Sequence, residues 1–493
     1  MGHLFTYTVW EKYKPYLFIG FFSFLVVLLQ YHVGFECSWD SLWYILFADW
    51  IGNSLNFDRL AVYPPLYYET LGFFKLFGLS TISTILLYWW ICYYIIITLF
   101  YSLTRNITVS ILALLAILSN IDLWNTYRTI WTEMGYSVLL LTALHSLYKY
   151  LNSVDSKNSY KYLFLFSIAM LPIQRYIGVY ISIYLGLIYL FSSKKDLLQR
   201  FYDLMMAITP LLFVLAWNYL LSGFVAGPRE PSPYSFAKNF HMSRDVLSGN
   251  FHIESVFYIV ISLFLIISML KRRRFSSLFL LLLVPAIEVF FQIVSNTQYN
   301  INIINQRYFV VLVPSVVLLI TLFIEGQFKK RNKIMISLML ASYMIIIGYN
   351  VKRHYNAYIT NPTQNYMKVK NYLFNIKAPS KIGVFTGGYQ HYGSDYILLD
   401  QIIPLAHCHK YKSVAKFNML TKEYADGLRD FEGIYYLPTC SNTIGHIYAP
   451  LTRELKNSPD NILVSKRRLP RDWRNMFKGY RVENLGEFYG LSK

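Results

Sequence analysis

Uncharged apolar stretches recur through the first 350 residues, and no other feature limits the fold as tightly. They lie near 16–35, 79–103, 107–121, 134–150, 160–173, 176–192, 201–221, 251–270, 275–294, 308–324 and 334–350. A helix needs about 20 such residues to cross hydrocarbon, where every backbone N–H and C=O must be satisfied within the segment. About eleven transmembrane helices are therefore expected, with 107–121 and 160–173 short enough to be tilted or re-entrant. Composition agrees, because 15% of residues are charged, 55% hydrophobic and 18% aromatic, whereas a soluble domain carries about 25% charged residues. Disorder is excluded by the same hydrophobicity. A nucleic-acid binder could reach the formal +19, but not with long apolar runs between its basic residues, so no nucleic-acid partner is expected. The first run lacks a small-residue cleavage site and is expected to be retained.

Basic residues test the threading. With a cytosolic N-terminus, 17 of the 25 Lys and Arg before residue 351 fall inside, among them Lys12, Lys194, Lys195, Lys271 to Arg274 and Lys329 to Arg331. Positive residues favour the cytosolic side, and an odd number of spans then puts the C-terminal region outside. Carboxylates run the other way. Glu36, Asp40, Asp49, Asp58, Glu69, Asp122, Glu133, Glu230, Asp245 and Glu254 all fall on the outer side, with Glu288 near the outer end of its helix. Chemistry is expected on the outer face.

Two domains follow: a membrane domain over 1–350, with a first outer loop at 36–78, and an extracytoplasmic domain over 351–493. The second has no run long enough to span. Lys381 to Gly388 reads as a buried strand ending in a glycine turn, and Thr421 to Phe431 as an amphipathic helix. Six prolines between Pro379 and Pro470 argue against one long helix, so a small α/β domain is expected.

In the first outer loop, Asp40, Tyr44, Ala48 and Gly52 stand four residues apart and share one helical face. Asp49 lies about half a turn out of phase with Asp40, so the two cannot act as a facing pair on one straight helix. The helix is rich in Trp and Tyr and suits the membrane–water boundary. Pro64 and Pro65 then break the chain before a second interfacial stretch.

The pattern D-x3-Y-x3-A-x3-G followed by YPPLYYETLGFFKLFG resembles the first outer loop of the C-type (GT-C) glycosyltransferase superfamily. The particular likeness is to the branch of protein O-mannosyltransferases and lipid A aminoarabinose transferases. Thr132 to Tyr148 looks like that branch's fourth helix, Gln174 to Leu190 like its sixth, and Asn305 to Leu319 like its late R-Y…P helix. The resemblance implies sugar transfer from a polyprenyl- or dolichyl-phosphate donor to an acceptor glycan, lipid or protein at the outer or lumenal face. It also implies that Asp40 is the acid serving the acceptor, with Asp122 a candidate second acid by position. The family often shows two adjacent acids where this chain has Asp40 and Ser41, and the loop has no D-x-D pair, so no cofactor is expected and a divalent metal is not supported.

The chemistry makes the same demand. An acceptor hydroxyl attacking an anomeric carbon needs a carboxylate to take its proton. A glycosidase needs a second carboxyl for the leaving oxygen, but a lipid phosphate leaves readily and needs cations to hold its charge. Arg59, Arg128, Arg175 and Arg307 are the candidates, and two of them repeat one tripeptide, QRY, at 174–176 and 306–308. Their planar forks suit phosphate. Tyr44, Asp49, Glu69, Glu133 and Tyr308 are candidate substrate-binding residues. Each has a plainer reading: Asp40 as a helix cap, the arginines as headgroup anchors, and Glu133 as a carboxylate favoured by a helix start.

Other signals carry less. The MGHLFT start fits a myristoylation pattern that a chain of many spans does not need. The sequon at Asn106 falls on the cytosolic side, which leans towards a bacterial inner membrane over the endoplasmic reticulum. His407, Cys408, His409 and Cys440 match no zinc spacing, and a Cys408–Cys440 disulfide is an equal alternative. A transporter or flippase of lipid-linked glycans would show repeats or mid-membrane charges, and a polymerase or ligase would carry its key residues in a large late loop.

Overall fold

The computed structural model describes residues 2–33, 39–55, 61, 63–152, 158–191, 197–227, 231–272, 277–299, 304, 306–327, 333–358, 382–385, 434–436, 461–465, 474, 478–485 and 488–492. These form two compact units, one of residues 1–32 and 47–359, the other of residues 33–46 and 360–493.

The first unit is helical. In chain order its elements are α1 (Gly2–Val33), α2 (Trp39–Ser54, shared with the second unit), α3 (Leu66–Lys75), α4 (Thr81–Thr104), α5 (Ile107–Leu118), α6 (Ile121–Arg128), α7 (Glu133–Asn152), α8 (Asn158–Gln174), α9 (Gly178–Phe191), α10 (Leu197–Ser222), α11 (Phe236–Asn250), α12 (His252–Arg272), α13 (Ser277–Gln298), α14 (Leu312–Gln327) and α15 (Lys333–Tyr358). A 3-10 turn, Gln306–Tyr308, leads into α14. Each of the eleven apolar runs is a helix. By length and composition, six helices among the described residues can cross a membrane, or eight if each of two bent pairs is one span. The short run at 107–121 is one of those pairs: α5 stops after 12 residues and turns through 88° into α6.

Local chemistry sets these boundaries. Ser80 caps α4 by accepting from the Ser83 N–H at 3.2 Å, and Asn106 and Asn120 cap α5 and α6 by accepting from Val109 and Leu123. Arg105 adopts a left-handed φ of 50° between α4 and α5, the backbone reversal that ends a helix. Pro285 lies inside α13, and tyrosines from two neighbours donate to carbonyls in the turn before it: Tyr184 to Leu280 at 2.7 Å and Tyr258 to Leu282 at 2.9 Å. Glycine governs the crossing of α2 and α3, because a Cβ on Gly52 would lie 2.5 Å from Lys75 Cβ and one on Gly72 would lie 2.7 Å from Ile51 Cβ. The last position of D-x3-Y-x3-A-x3-G is therefore a packing requirement.

The core gathers on α14, which packs against α4, α5, α7, α12, α13 and α15. Val313, Val317, Leu318 and Leu322 on it have no exposed surface. By contrast α10 exposes Phe213, Met206 and Leu220, at 66, 74 and 77%. Apolar exposure on that scale suits hydrocarbon and not water.

The second unit holds a five-stranded mixed sheet of β1 (Ile382–Phe385), β2 (Ile434–Tyr436), β3 (Asn461–Ser465), β4 (Arg481–Asn484) and β5 (Phe488–Ser492), in the order β2-β1-β3-β5-β4. β1 runs parallel to β2 and β3, with Ile382 opposite Ile434 and Asn461, while β5 runs antiparallel to β3 and β4. The strand expected within Lys381 to Gly388 is β1. The helix expected at 421–431, and Cys408 and Cys440, lie outside the described residues.

Candidate functional site

Three chain breaks, far apart in sequence, meet in the first unit. They are the segment 129–132 before α7, the α8–α9 turn, and the 3-10 turn before α14. Glu133 opens α7 with no exposed surface, and its Oε1 accepts from Arg307 Nε at 2.6 Å. The same oxygen lies 3.7 Å from Arg175 Nη2. Both QRY tripeptides thus converge on one carboxylate. Burying Glu133 unpaired would cost several kcal/mol, on the order of 3–5 when a partner is lost, and the two guanidiniums offset that cost.

Aromatic rings complete the setting. The Arg307 guanidinium stands 3.7 Å over the centre of Trp131, and that of Arg175 lies 6.0 Å from Tyr136 and 5.8 Å from Tyr308. Such cation–π contacts hold planar cations in a fixed orientation. Gln174 fixes the α8 end by donating to the Thr132 carbonyl at 2.9 Å and to the Tyr88 hydroxyl at 3.5 Å. Gly135 is what lets these groups close in, since a Cβ there would collide with the Tyr88 hydroxyl and lie 2.6 Å from Gln174 Nε2. Two donors here are buried without a hydrogen-bond partner, Arg175 Nη1 and the Tyr136 hydroxyl.

A second polar cluster joins both bent helix pairs. Asn120, between α5 and α6, donates to Glu254 Oε1 at 3.2 Å and to the Asn250 carbonyl at 3.2 Å. Asn350 of α15 donates to the same Glu254 oxygen at 3.0 Å and to Ser119 at 3.3 Å. Asn250 in turn donates to Asp122 Oδ2 at 2.8 Å. The α11–α12 bend of 101° and the α5–α6 bend of 88° are tied together here. Beside this cluster, a cavity of about 400 Å³ opens between α11, α12, α13 and α14, lined mainly by apolar side chains such as Phe240, Phe251, Val289 and Leu312.

Of the candidates read from sequence, Arg175, Arg307, Glu133 and Tyr308 come together. Asp122 belongs to the second cluster. Arg128, 1% exposed, donates to Asn125 at 2.9 Å and lies 5.9 Å from the Trp124 ring. Glu69 is half-buried in the first turn of α3, and Tyr44 is a buried residue of α2. Asp40 and Asp49 are on α2, but their side chains, and Arg59 altogether, lie outside the described residues. Sequence reading passed over Trp131, Tyr136 and Gln174, whose only signal was adjacency to residues already singled out. Among the described residues, no three His, Cys, Asp or Glu side chains converge as a metal site would require.

The many-helix architecture, with its bent helix pairs and an arginine pair held on a buried carboxylate, has the fold of solved multi-helix proteins. The chain superposes on ArnT from Cupriavidus metallidurans bound to undecaprenyl phosphate with a TM-score of 0.56 and 11% identity, covering 98% of each chain. Against the apo state of that protein the TM-score is again 0.56, at 9% identity, covering 99% of this chain and 98% of the other. No family model and no curated protein sequence matches. The likeness therefore lies in the fold, at an identity that leaves few side chains in common.

Proposed function

We propose that this protein is an integral-membrane glycosyltransferase that moves a sugar from a polyprenyl- or dolichyl-phosphate donor to an acceptor hydroxyl at the outer face. One observation carries the reading. Arg175 and Arg307 converge on Glu133, and Arg175 keeps a buried donor, Nη1, without a partner. A glycosyl phosphodiester acquires charge on its phosphate oxygens as the anomeric bond breaks. Preorganised guanidinium donors stabilise that charge more in the transition state than in the ground state. Glu133 is the counter-charge that keeps the arginines in place, and the rings of Trp131 and Tyr308 fix their planes.

In this reading Asp40 accepts the proton of the attacking acceptor hydroxyl, the role its motif position implies. Arg59, Arg128, Asp122, Tyr44, Asp49 and Glu69 remain substrate or catalytic candidates by position. The apolar cavity between α11 and α14 has the chemistry a prenyl chain needs, and the fold is shared with a protein solved with undecaprenyl phosphate. Transfer by the purified protein from radiolabelled polyprenyl-phosphate sugars tests the reading. Wild type should consume donor, Arg175→Ala should do so far more slowly, and Asp40→Asn should bind donor without transfer. Wild type that consumes none of a broad donor panel would contradict it, and full activity in Asp40→Asn would remove the proton-accepting role from Asp40.

A further inference from the structure

Glu288 stands out among the buried acids of the described residues because neither of its oxygens has a hydrogen-bond partner. It lies on α13 at 2% exposure. Its nearest polar neighbours are Arg175 and the Tyr136 hydroxyl, which likewise makes no hydrogen bond of its own. The other two buried acids among the described residues of the first unit differ. Glu133 holds the arginines, and Glu254 accepts from two asparagines. A buried carboxylate left without donors is costly, so its persistence calls for a ligand that supplies them.

The arrangement around Arg175 says which kind. Arg175 Nη1 is an unused donor and Glu288 offers two unused acceptors, yet the two groups do not bond to each other. A ligand that meets both must carry an anion next to groups that donate hydrogen bonds. A sugar phosphate has that pattern, with phosphate oxygens one or two bonds from ring hydroxyls. We infer that Glu288 is a specificity-determining residue that accepts hydrogen bonds from hydroxyls of the donor sugar while Arg175 holds the adjoining phosphate. This rests on the lipid-phosphate donor reading above and deepens it. Two acceptor oxygens on one rigid helix suit a pair of neighbouring hydroxyls, and a sugar lacking one of them would leave the carboxylate unsatisfied. Sites built to bond a hydroxyl reject analogues without it more strongly than apolar pockets reject an extra group.

The test compares two probes on purified full-length protein in detergent: undecaprenyl phosphate, and undecaprenyl phosphate carrying each of a panel of sugars. The readout is the ratio of affinities for the best glycolipid and for the bare phosphate, which separates sugar recognition from phosphate recognition. Wild type should favour the glycolipid. Glu288→Gln, which keeps the shape, should lower that ratio at least about tenfold, and Glu288→Asp should fall between the two. Removal of the corresponding ring hydroxyl from the glycolipid should lower wild-type affinity while barely affecting Glu288→Gln. An unchanged ratio overturns the role of Glu288, including the case where the variant binds both lipids more tightly because a negative charge near Arg175 is gone. Failure of wild type to bind bare undecaprenyl phosphate overturns the donor reading itself.

Discussion

Two carboxylates in the first unit are equally buried and sit at comparable breaks in the helices, yet they are satisfied by opposite means. Glu133 meets two guanidiniums, whereas Glu254 meets the amides of Asn120 and Asn350. Amides give up their donors to the carboxylate and have no charge to offer anything else. That cluster fastens α6, α12 and α15 to one another and is complete among its own members apart from Glu254 Oε2. Guanidiniums carry five donors each, so the Glu133 cluster keeps capacity after pairing, and Arg175 Nη1 is that surplus. The contrast separates two kinds of buried polar cluster: one satisfied by neutral donors, which fastens helices, and one satisfied by cations with a donor to spare, which we propose as a place for an anion.

Several substitutions can break this contrast. The largest effect is expected from Glu133→Gln, which leaves Arg307 buried against a neutral amide. The folded state should lose about 3–5 kcal/mol, as removal of one partner of a buried ion pair does, visible as a lower unfolding midpoint in detergent. Next comes Arg175→Ala, which should reduce kcat/KM for the lipid donor about 10²- to 10³-fold, as loss of one preorganised donor to a developing charge does. Its folding should suffer less than that of Glu133→Gln, because its contact with Glu133 is the longer one at 3.7 Å. In the amide cluster the order reverses. Asn350→Ala removes one donor from Glu254 and should cost about 1–3 kcal/mol of stability, with the transfer rate per folded molecule unchanged. Smallest is Arg307→Lys, which keeps the charge but loses the flat contact with Trp131, worth about 0.5–2 kcal/mol, read again from the midpoint.

Much of this fold was legible in sequence, because a membrane helix is a local pattern: length and lack of charge suffice. All eleven apolar runs lie in helices. Among the described residues, however, only six helices, or eight spans with each bent pair taken as one, are long and apolar enough to cross a membrane, and the short run at 107–121 ends at the bend into α6. α11 was missed, since Phe236 to Asn250 is polar, carries no long apolar run and read as outer loop. At the site, the repeated QRY tripeptide pointed to Arg175 and Arg307, but nothing local could say that both would meet Glu133, 174 positions from Arg307 in the chain. Glu254 and Asn350 were equally opaque, separated by 96 positions. Such pairs are made by tertiary packing, and a single sequence carries no trace of their distance. Glu288 was marked only as a carboxylate near the outer end of its helix, and its unpartnered oxygens became visible once its neighbours were in place.

The central claim is that the Arg175–Arg307 pair holds a lipid phosphate. Equilibrium binding of undecaprenyl phosphate to the purified protein, wild type against Arg175→Ala, tests it most directly. Loss of a charge-assisted contact in a buried site should weaken binding at least about tenfold, with the unfolding midpoint nearly preserved. Equal affinity in a folded Arg175→Ala protein would contradict the claim and return the two arginines to the role of structural anchors.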